Sequence, residues 1–315
     1  MTTIALALAL LLALGDGQPH GQTRVRPWSD SGQTRVRLRS DSGQSRGQTG
    51  GLVVAAKSRA VQPGELVVLT ITASVDLDRV RVRAFGRDVA AFPAASSSAT
   101  EWQALVGIDL DVKAGTYPVA IDADAGRLRT TYELMVMSKR FPTRRLTVDE
   151  SFVNPPPSEQ ARIEQETKLI NDAYRAPAPE RLWNGPFVRP VAEAANSRFG
   201  TRSIFNGVPR SPHGGADFLS PAGTPIHAPN SGRIVVARPL YFSGNTVIID
   251  HGLGVFSLLA HMSEMDVHEG DRVSAGQVVG RVGATGRVTG PHLHWAVRAN
   301  AARVDPISLL AVLGK

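Results

Sequence analysis

Apolar and polar residues alternate in short runs between Leu52 and Met137. Leu66-Val-Val-Leu-Thr-Ile-Thr72, Val80-Arg-Val-Arg-Ala-Phe85, Leu105-Val-Gly-Ile-Asp-Leu110, Tyr117-Pro-Val-Ala-Ile-Asp122 and Thr131-Tyr-Glu-Leu-Met-Val136 predict strands. Turn formers separate them at Gln62-Pro-Gly64, Lys113-Ala-Gly115 and Asp124-Ala-Gly126. Short strands at this spacing predict an immunoglobulin-like β-sandwich over residues 51–140. No catalytic constellation lies in it, so its expected role is that of a spacer or docking module. Residues 141–184 read as a linker and helix. Phe141 to Asn154 is extended and ends in Pro155-Pro-Pro157. A helix then runs from Ser158, the N-cap candidate, to about Tyr174, with Ile163, Ile170 and Tyr174 on one face. Pro177 and Pro179 stop it. Residues 185–315 return to turns and short strands, so the whole chain is expected to be mainly β.

The first 50 residues follow other rules. Ile4 to Leu14 is an unbroken apolar run, shorter than the ~20 residues a membrane-spanning helix needs. Ala13-Leu14-Gly15 supplies small residues for a signal-peptidase site, although no Lys or Arg precedes the run. A signal peptide over residues 1–15 is expected, which implies a periplasmic or secreted protein with no integral membrane span once it is removed. Residues 21–31 and 32–42 are then two copies of an eleven-residue repeat that differ at two positions. A repeat so short and polar cannot bury a core, so residues 16–50 are expected to be a disordered, Arg-rich linker.

Composition narrows the chemistry. The chain has 315 residues, enough for two domains, with 42% hydrophobic and 20% charged residues. Its net charge of +7 attracts polyanions. No nucleic-acid motif accompanies that charge, so no nucleic-acid partner is expected. There is no cysteine, which excludes disulfides, thiol nucleophiles and thiolate ligands. A transition-metal site must use His and carboxylate.

Seven of the eight histidines fall after residue 212. His292 and His294 stand two apart in Pro291-His-Leu-His-Trp295, a run that reads as a strand, so both rings point to one face. Upstream is His213-Gly-Gly-Ala-Asp217, and between them His261 lies in the turn-rich Leu259-Ala-His-Met-Ser263. A catalytic zinc takes three protein ligands and keeps one position for water. His213, Asp217 and one of His292 and His294 can supply them. The remaining member of the pair and His261 fit the proton transfer and oxyanion stabilisation that amide hydrolysis needs. His251, His227 and His268 read as structural or surface residues, and Trp295, on the opposite face from its neighbours, as core.

The segment Asn206-Gly-Val-Pro-Arg-Ser-Pro-His-Gly-Gly-Ala-Asp-Phe218 resembles the first metal motif of the M23 metallopeptidases, the lysostaphin- and LytM-like group. Ala222-Gly-Thr-Pro225, Gly244-Asn-Thr-Val247, Asp250-His-Gly252, Ala260-His-Met-Ser263 and Gly283-Ala-Thr-Gly-Arg-Val-Thr-Gly-Pro-His-Leu-His-Trp295 follow in family order. The resemblance covers residues ~185 to 310. It implies a compact antiparallel β peptidase domain over 185–315, with Zn²⁺ bound by His213, Asp217 and His294. It also implies His292 as the general base toward the zinc-bound water and His261 as the group that stabilises the tetrahedral intermediate. Asn245 and Arg287 match groove positions of the family. Leu259 stands where many members carry Tyr, and Met262 where Leu is usual.

The expected function is hydrolysis of peptide bonds in peptidoglycan stem peptides or cross-links, by a zinc metalloendopeptidase of the cell envelope. The alternative is a non-catalytic LytM-like regulator that activates cell-wall amidases. Such regulators typically lack the metal ligands, and this chain keeps them.

Overall fold

The computed structural model describes residues 51–94, 99–147, 153–197 and 199–314. The signal peptide and the repeat linker expected within residues 1–50 lie outside them.

Seven strands build the N-terminal unit: β1 (Leu52–Ser58), β2 (Leu66–Ala73), β3 (Val80–Ala84), β4 (Arg87–Pro93), β5 (Glu101–Gly107), β6 (Gly115–Ala123) and β7 (Leu128–Val136). All pair antiparallel, in the order β1-β2-β5-β4-β3-β6-β7. β4 pairs with β3 through Arg87–Ala90 and with β5 through Ala91–Pro93, so one strand joins the two halves. β3 shows the half-buried alternation: Val80, Val82 and Ala84 are buried, Arg81 and Arg83 exposed.

Two strands, β1 and β4, escape the sequence reading. β1 has only mild alternation, and β4 opens on Arg87-Asp88, which reads as a turn. The predicted strand 105–110 is displaced to Glu101–Gly107. The chain leaves the sheet after Gly107 because Ile108 N–H bonds Glu65 O and Asp109 accepts from Arg303.

The C-terminal unit begins with β8 (Thr143–Leu146) and α1 (Gln160–Arg175). β9 (Ala195–Ser197), β10 (Arg202–Phe205), β11 (Val208–Pro209), β12 (Gly215–Phe218), β13 (Pro225–His227), β14 (Gly232–Leu240) and β15 (Gly244–Gly252) follow. The chain ends in β16 (Val255–Met265), β17 (Arg272–Val273), β18 (Val278–Val282), β19 (Leu293–Ala299), β20 (Ala302–Val304) and α2 (Pro306–Leu313). The main sheet runs β17-β14-β15-β16-β19-β12-β9, with β18 on β16 and β20 on β19. β8 lies parallel to β10 in a separate three-stranded sheet with β11. No helix among the described residues is long and apolar enough to cross a membrane.

Ser158 does not cap α1. It sits in a 3-10 turn, Pro157–Glu159, and the helix starts at Gln160 without a side-chain cap. The proline run prolongs the tight turn and shifts the start by two residues. Leu169, Ile170, Ala173 and Tyr174 pack on Val236, Ile248 and Phe256, so the helix covers part of one face of the main sheet. The Tyr174 and Phe256 rings meet edge to face at 5.2 Å.

The two units share a seam. β2 is buried on both faces: Val67, Leu69 and Ile71 enter the N-terminal core, while Leu66 and Val68 join Phe92, Leu105, Trp183 and Phe187 in the C-terminal core. A strand covered on both sides reads as a continuous apolar run, as Leu66 to Leu69 does. Gly107 lies where a Cβ would meet Ala299 O and the Ala302 Cβ, both at 2.8 Å. Arg303 grips Asp109 and Asp111, and Arg59 bridges Glu65 and Asp305.

Candidate metal centre

The alternation of β19 sorts its side chains. Leu293, Trp295 and Val297 are buried in the core, and His294 faces the other way. β12 does the same: Ala216 and Phe218 enter the core. Asp217 stands directly opposite His294 in the antiparallel pair, on its face of the sheet. His213 precedes β12 and is pinned by two backbone bonds, His213 N–H to Thr201 O and Gly200 N–H to His213 O. Gly215 allows the close fit, because a Cβ there would lie 2.8 Å from the His294 ring and 2.4 Å from Trp295 O.

Three donor atoms meet as a result. His213 Nε2 lies 3.1 Å from Asp217 Oδ1 and 3.1 Å from His294 Nδ1, which is 2.8 Å from the same Asp217 oxygen. All three side chains are partly buried. Burial opposes ionisation of Asp217, but the hydrogen bonds and charges of His213 and His294 outweigh it and hold the carboxyl well below the usual carboxylate range. Burial pushes His294 down, toward the neutral imidazole. A carboxylate and two imidazole nitrogens facing one another at these distances form a donor set that a cation satisfies together. Two nitrogens and one oxygen at these spacings suit zinc, whose bonds are about 2.0–2.1 Å long.

Two more histidines border the triad. His292 Nε2 is 3.8 Å from Asp217 Oδ1, and its Nδ1 is 2.9 Å from Gly290 O. A carbonyl only accepts, so Nδ1 carries a proton, and Nε2 is the acceptor nitrogen of that tautomer. His261 repeats the pattern, with Nδ1 3.0 Å from Thr285 O. Its ring centroid lies 4.8 Å from that of His292 and 6.0 Å from that of His294. Burial and the neighbouring His294 and His292 charges lower the His261 pKa to about 4.

His261 is in a strand, not the turn its neighbours predicted. The pairing of β15 with β16 slips between Asn245 and Val247, where β16 holds one residue more than its partner needs. His261 takes up that bulge with φ +65°, rare for a residue other than glycine. The bulge lets Leu259 and Met262 both enter the core while His261 joins the site.

Thr285 carries no role in the sequence reading. Its hydroxyl donates to Met262 O and accepts from Asn245 N–H, which fixes the carbonyl that holds His261. Gly244 and Gly286, both at positive φ, let this loop close on the β14–β15 turn. The Asn245 amide is turned to Ser263 O, and the Arg287 guanidinium lies over the Phe242 ring.

The model of peptidase family M23 matches residues 211–306, the stretch that carries all five of these groups. A crystal structure from Pseudomonas aeruginosa assigned to peptidase M23 is 34% identical, with a TM-score of 0.62, over 81% of this chain and 96% of that one. The chain belongs to peptidase family M23. Among curated M23-like relatives, the peptidoglycan DD-endopeptidase ShyA of Vibrio cholerae is 45% identical over 85 residues, 27% of this chain and 20% of that protein. The DD-carboxypeptidase/endopeptidase Mpg of Neisseria meningitidis is 44% identical over 97 residues, 31% of this chain and 22% of that protein. These matches span about a fifth of the length of each relative.

The remaining histidines of the M23 unit take other places. His251 is fully buried between Ser231 O and Ser257 Oγ. His227 Nδ1 meets Gly276 O, and His268 is on the surface beside Asp271.

Proposed function

We propose that this chain is a zinc metalloendopeptidase of the bacterial cell envelope that hydrolyses peptide bonds in peptidoglycan stem peptides or cross-links. The convergence of His213, Asp217 and His294 beside two further histidines, each held through Nδ1 on a backbone carbonyl, carries this reading. His213, Asp217 and His294 would hold the ion. Bound there, zinc would polarise the scissile carbonyl and make water acidic enough to react near neutral pH.

The chain's own groups do the rest. His292 Nε2 takes the proton of the attacking water, because its Nδ1–H is committed to Gly290 O. His261 Nε2 is likewise an acceptor at rest. Once it carries a proton it presents a positive N–H to the developing oxyanion. Thr285 O holds that ring in place. The complete ligand set supports hydrolysis over a purely regulatory role. The N-terminal unit, an immunoglobulin-like sandwich in this reading, supports the peptidase from behind through the shared seam.

The test is a mass profile of fragments released from purified sacculi by the full chain, with zinc and with a chelator. Fragments that need zinc and fall about 10²–10⁴-fold in rate in His292→Ala are expected. Intact sacculi in the presence of zinc-loaded protein would instead favour the regulator of amidases.

A further inference from the structure

Asp217 and His294 are fixed by the β12–β19 ladder, whereas His213 lies outside any strand and depends on what its loop rests on. Gly200 N–H donates to His213 O at 2.8 Å, and His213 N–H donates to Thr201 O at 2.9 Å. The support, Gly200-Thr201, is itself placed by the linker. Arg202 N–H donates to Pro142 O at 2.9 Å. From there β10 runs parallel to β8, with Arg202 beside Thr143 and Phe205 beside Leu146. Arg144 Nε adds a bond to Ser203 Oγ at 2.9 Å. The Phe141 ring rests directly on Gly200, where φ is +80° and any Cβ would collide with the ring.

The same linker is fastened to the N-terminal unit. Met137 N–H donates to Val61 O at 2.8 Å, and Gln62 Nε2 donates to Ser138 O at 3.3 Å. Lys139 Nζ lies 3.0 Å from an oxygen of the buried Glu65 and 5.3 Å from the centre of the Phe141 ring. Phe199, next to Gly200, is buried with its ring against Gly64. Direct contacts thus lead from Glu65 through Lys139, Phe141 and Gly200 to the backbone of His213. A ligand on a loose loop binds weakly, because binding must then order the loop. A loop ordered beforehand avoids that cost.

We propose that Phe141 and β8 form a strap that presets His213, and that Phe141 is a positioning residue for metal binding. The proposal rests on the reading of His213, Asp217 and His294 as the set that holds the ion, and it deepens that reading. The strap supplies none of the three donor atoms. It sets their affinity by holding Gly200-Thr201, and through it the His213 backbone, in the place the site requires. The strap also makes the metal centre sensitive to how the linker is seated on the N-terminal unit.

Two measurements on the full chain test the strap. The first needs no metal. Hydrogen exchange of chelator-treated protein is followed by mass spectrometry on peptides that cover residues 199–213. In Phe141→Ala these peptides should exchange about tenfold faster than in wild type, while those of β19 change little. Phe141→Tyr, which keeps a ring over Gly200, should restore the protection. Equal protection of residues 199–213 in Phe141→Ala and wild type would overturn the strap and leave the peptidase reading standing.

The second measurement is zinc affinity, by competition with a chromophoric chelator. Phe141→Ala should raise the Kd for zinc about tenfold, the low end of what losing a partner outside the ligand set costs. Phe141→Tyr should bind as wild type does. Val82→Ala serves as the control, since Val82 is buried in the N-terminal core and touches neither β8 nor His213. It should lower the thermal melting point and leave the Kd within about twofold of wild type. Equal losses of affinity in Phe141→Ala and Val82→Ala would make Phe141 a general stabiliser and overturn the proposal. Wild-type protein that binds no zinc would sink the metal reading instead, and the exchange experiment would still decide whether Phe141 holds His213.

Discussion

Two buried histidine pockets lie on neighbouring strands of the main sheet, and they resemble each other closely up to one atom. Burial lowers His251 on β15 to about 4 and His261 on β16 to about 4. In each, Nδ1 donates to a backbone carbonyl: Ser231 O for His251 and Thr285 O for His261. The pockets part at Nε2. His251 Nε2 accepts from the Ser257 hydroxyl at 2.9 Å, whose oxygen in turn accepts from Trp295 Nε1. His261 Nε2 has no such partner among the described residues and shares its space with the rings of His292 and His294. A depressed pKa and a buried ring therefore mark both a structural residue and a candidate catalytic one. The free valence distinguishes them.

The sharpest way to break this comparison is to remove each ring. His261→Ala should lower the rate of fragment release about 10²–10³-fold, while the urea midpoint moves little. A large loss of stability with unchanged rate would make His261 a second His251. His251→Ala should do the reverse, costing about 2–4 kcal/mol in urea unfolding because Ser231 O and Ser257 are left without their partner. Its rate at 25 °C should stay near wild type, and a rate loss beyond about tenfold would join the two pockets functionally.

Acid sharpens the comparison further. The folded pKa of His251, about 4, lies below the ordinary histidine value of about 6.5. Its neutral form is thus favoured by the fold, and its contribution is complete above pH ~6.5 and lost as pH falls through 4. The loss is on the order of 3 kcal/mol at its limit. Urea midpoints measured from pH 7 to pH 4 should fall less steeply in His251→Gln than in wild type, and identical slopes would remove His251 as the titrating group. The smallest expected effect is that of Ser257→Ala, which opens the closed Nε2: about 1 kcal/mol by urea unfolding, with unchanged hydrolysis.

The sequence exposed one of these pockets better than the other. In β19 every side chain follows the period of two, so His294 and Trp295 could be assigned to opposite faces by counting. His261 defeats the same count, because an unbroken strand with Leu259 in the core would turn Ala260 outward and His261 inward. A bulge at φ +65° reverses it, and no glycine stands there to announce it. The strand run Leu66–Thr72 was legible, but its burial on both faces was not, because the second covering layer comes from the other unit. Asp109 shows why such facts stay hidden: its partner Arg303 is 194 residues away, and neither residue type says so. The order of the motifs pointed to the five site residues together. The Thr285 carbonyl that fixes His261 could not be foreseen, since every residue has one.

The seam at Gly107 has a mechanical meaning. A glycine pressed against Ala299 O and Ala302, with Arg303 and Arg59 clamped across the same boundary, cannot swivel without tearing polar bonds and uncovering Leu66, Val68 and Trp183. The N-terminal unit is therefore less a leash than a handle. A force or a foothold applied to its outer strands reaches the histidine cluster through these contacts.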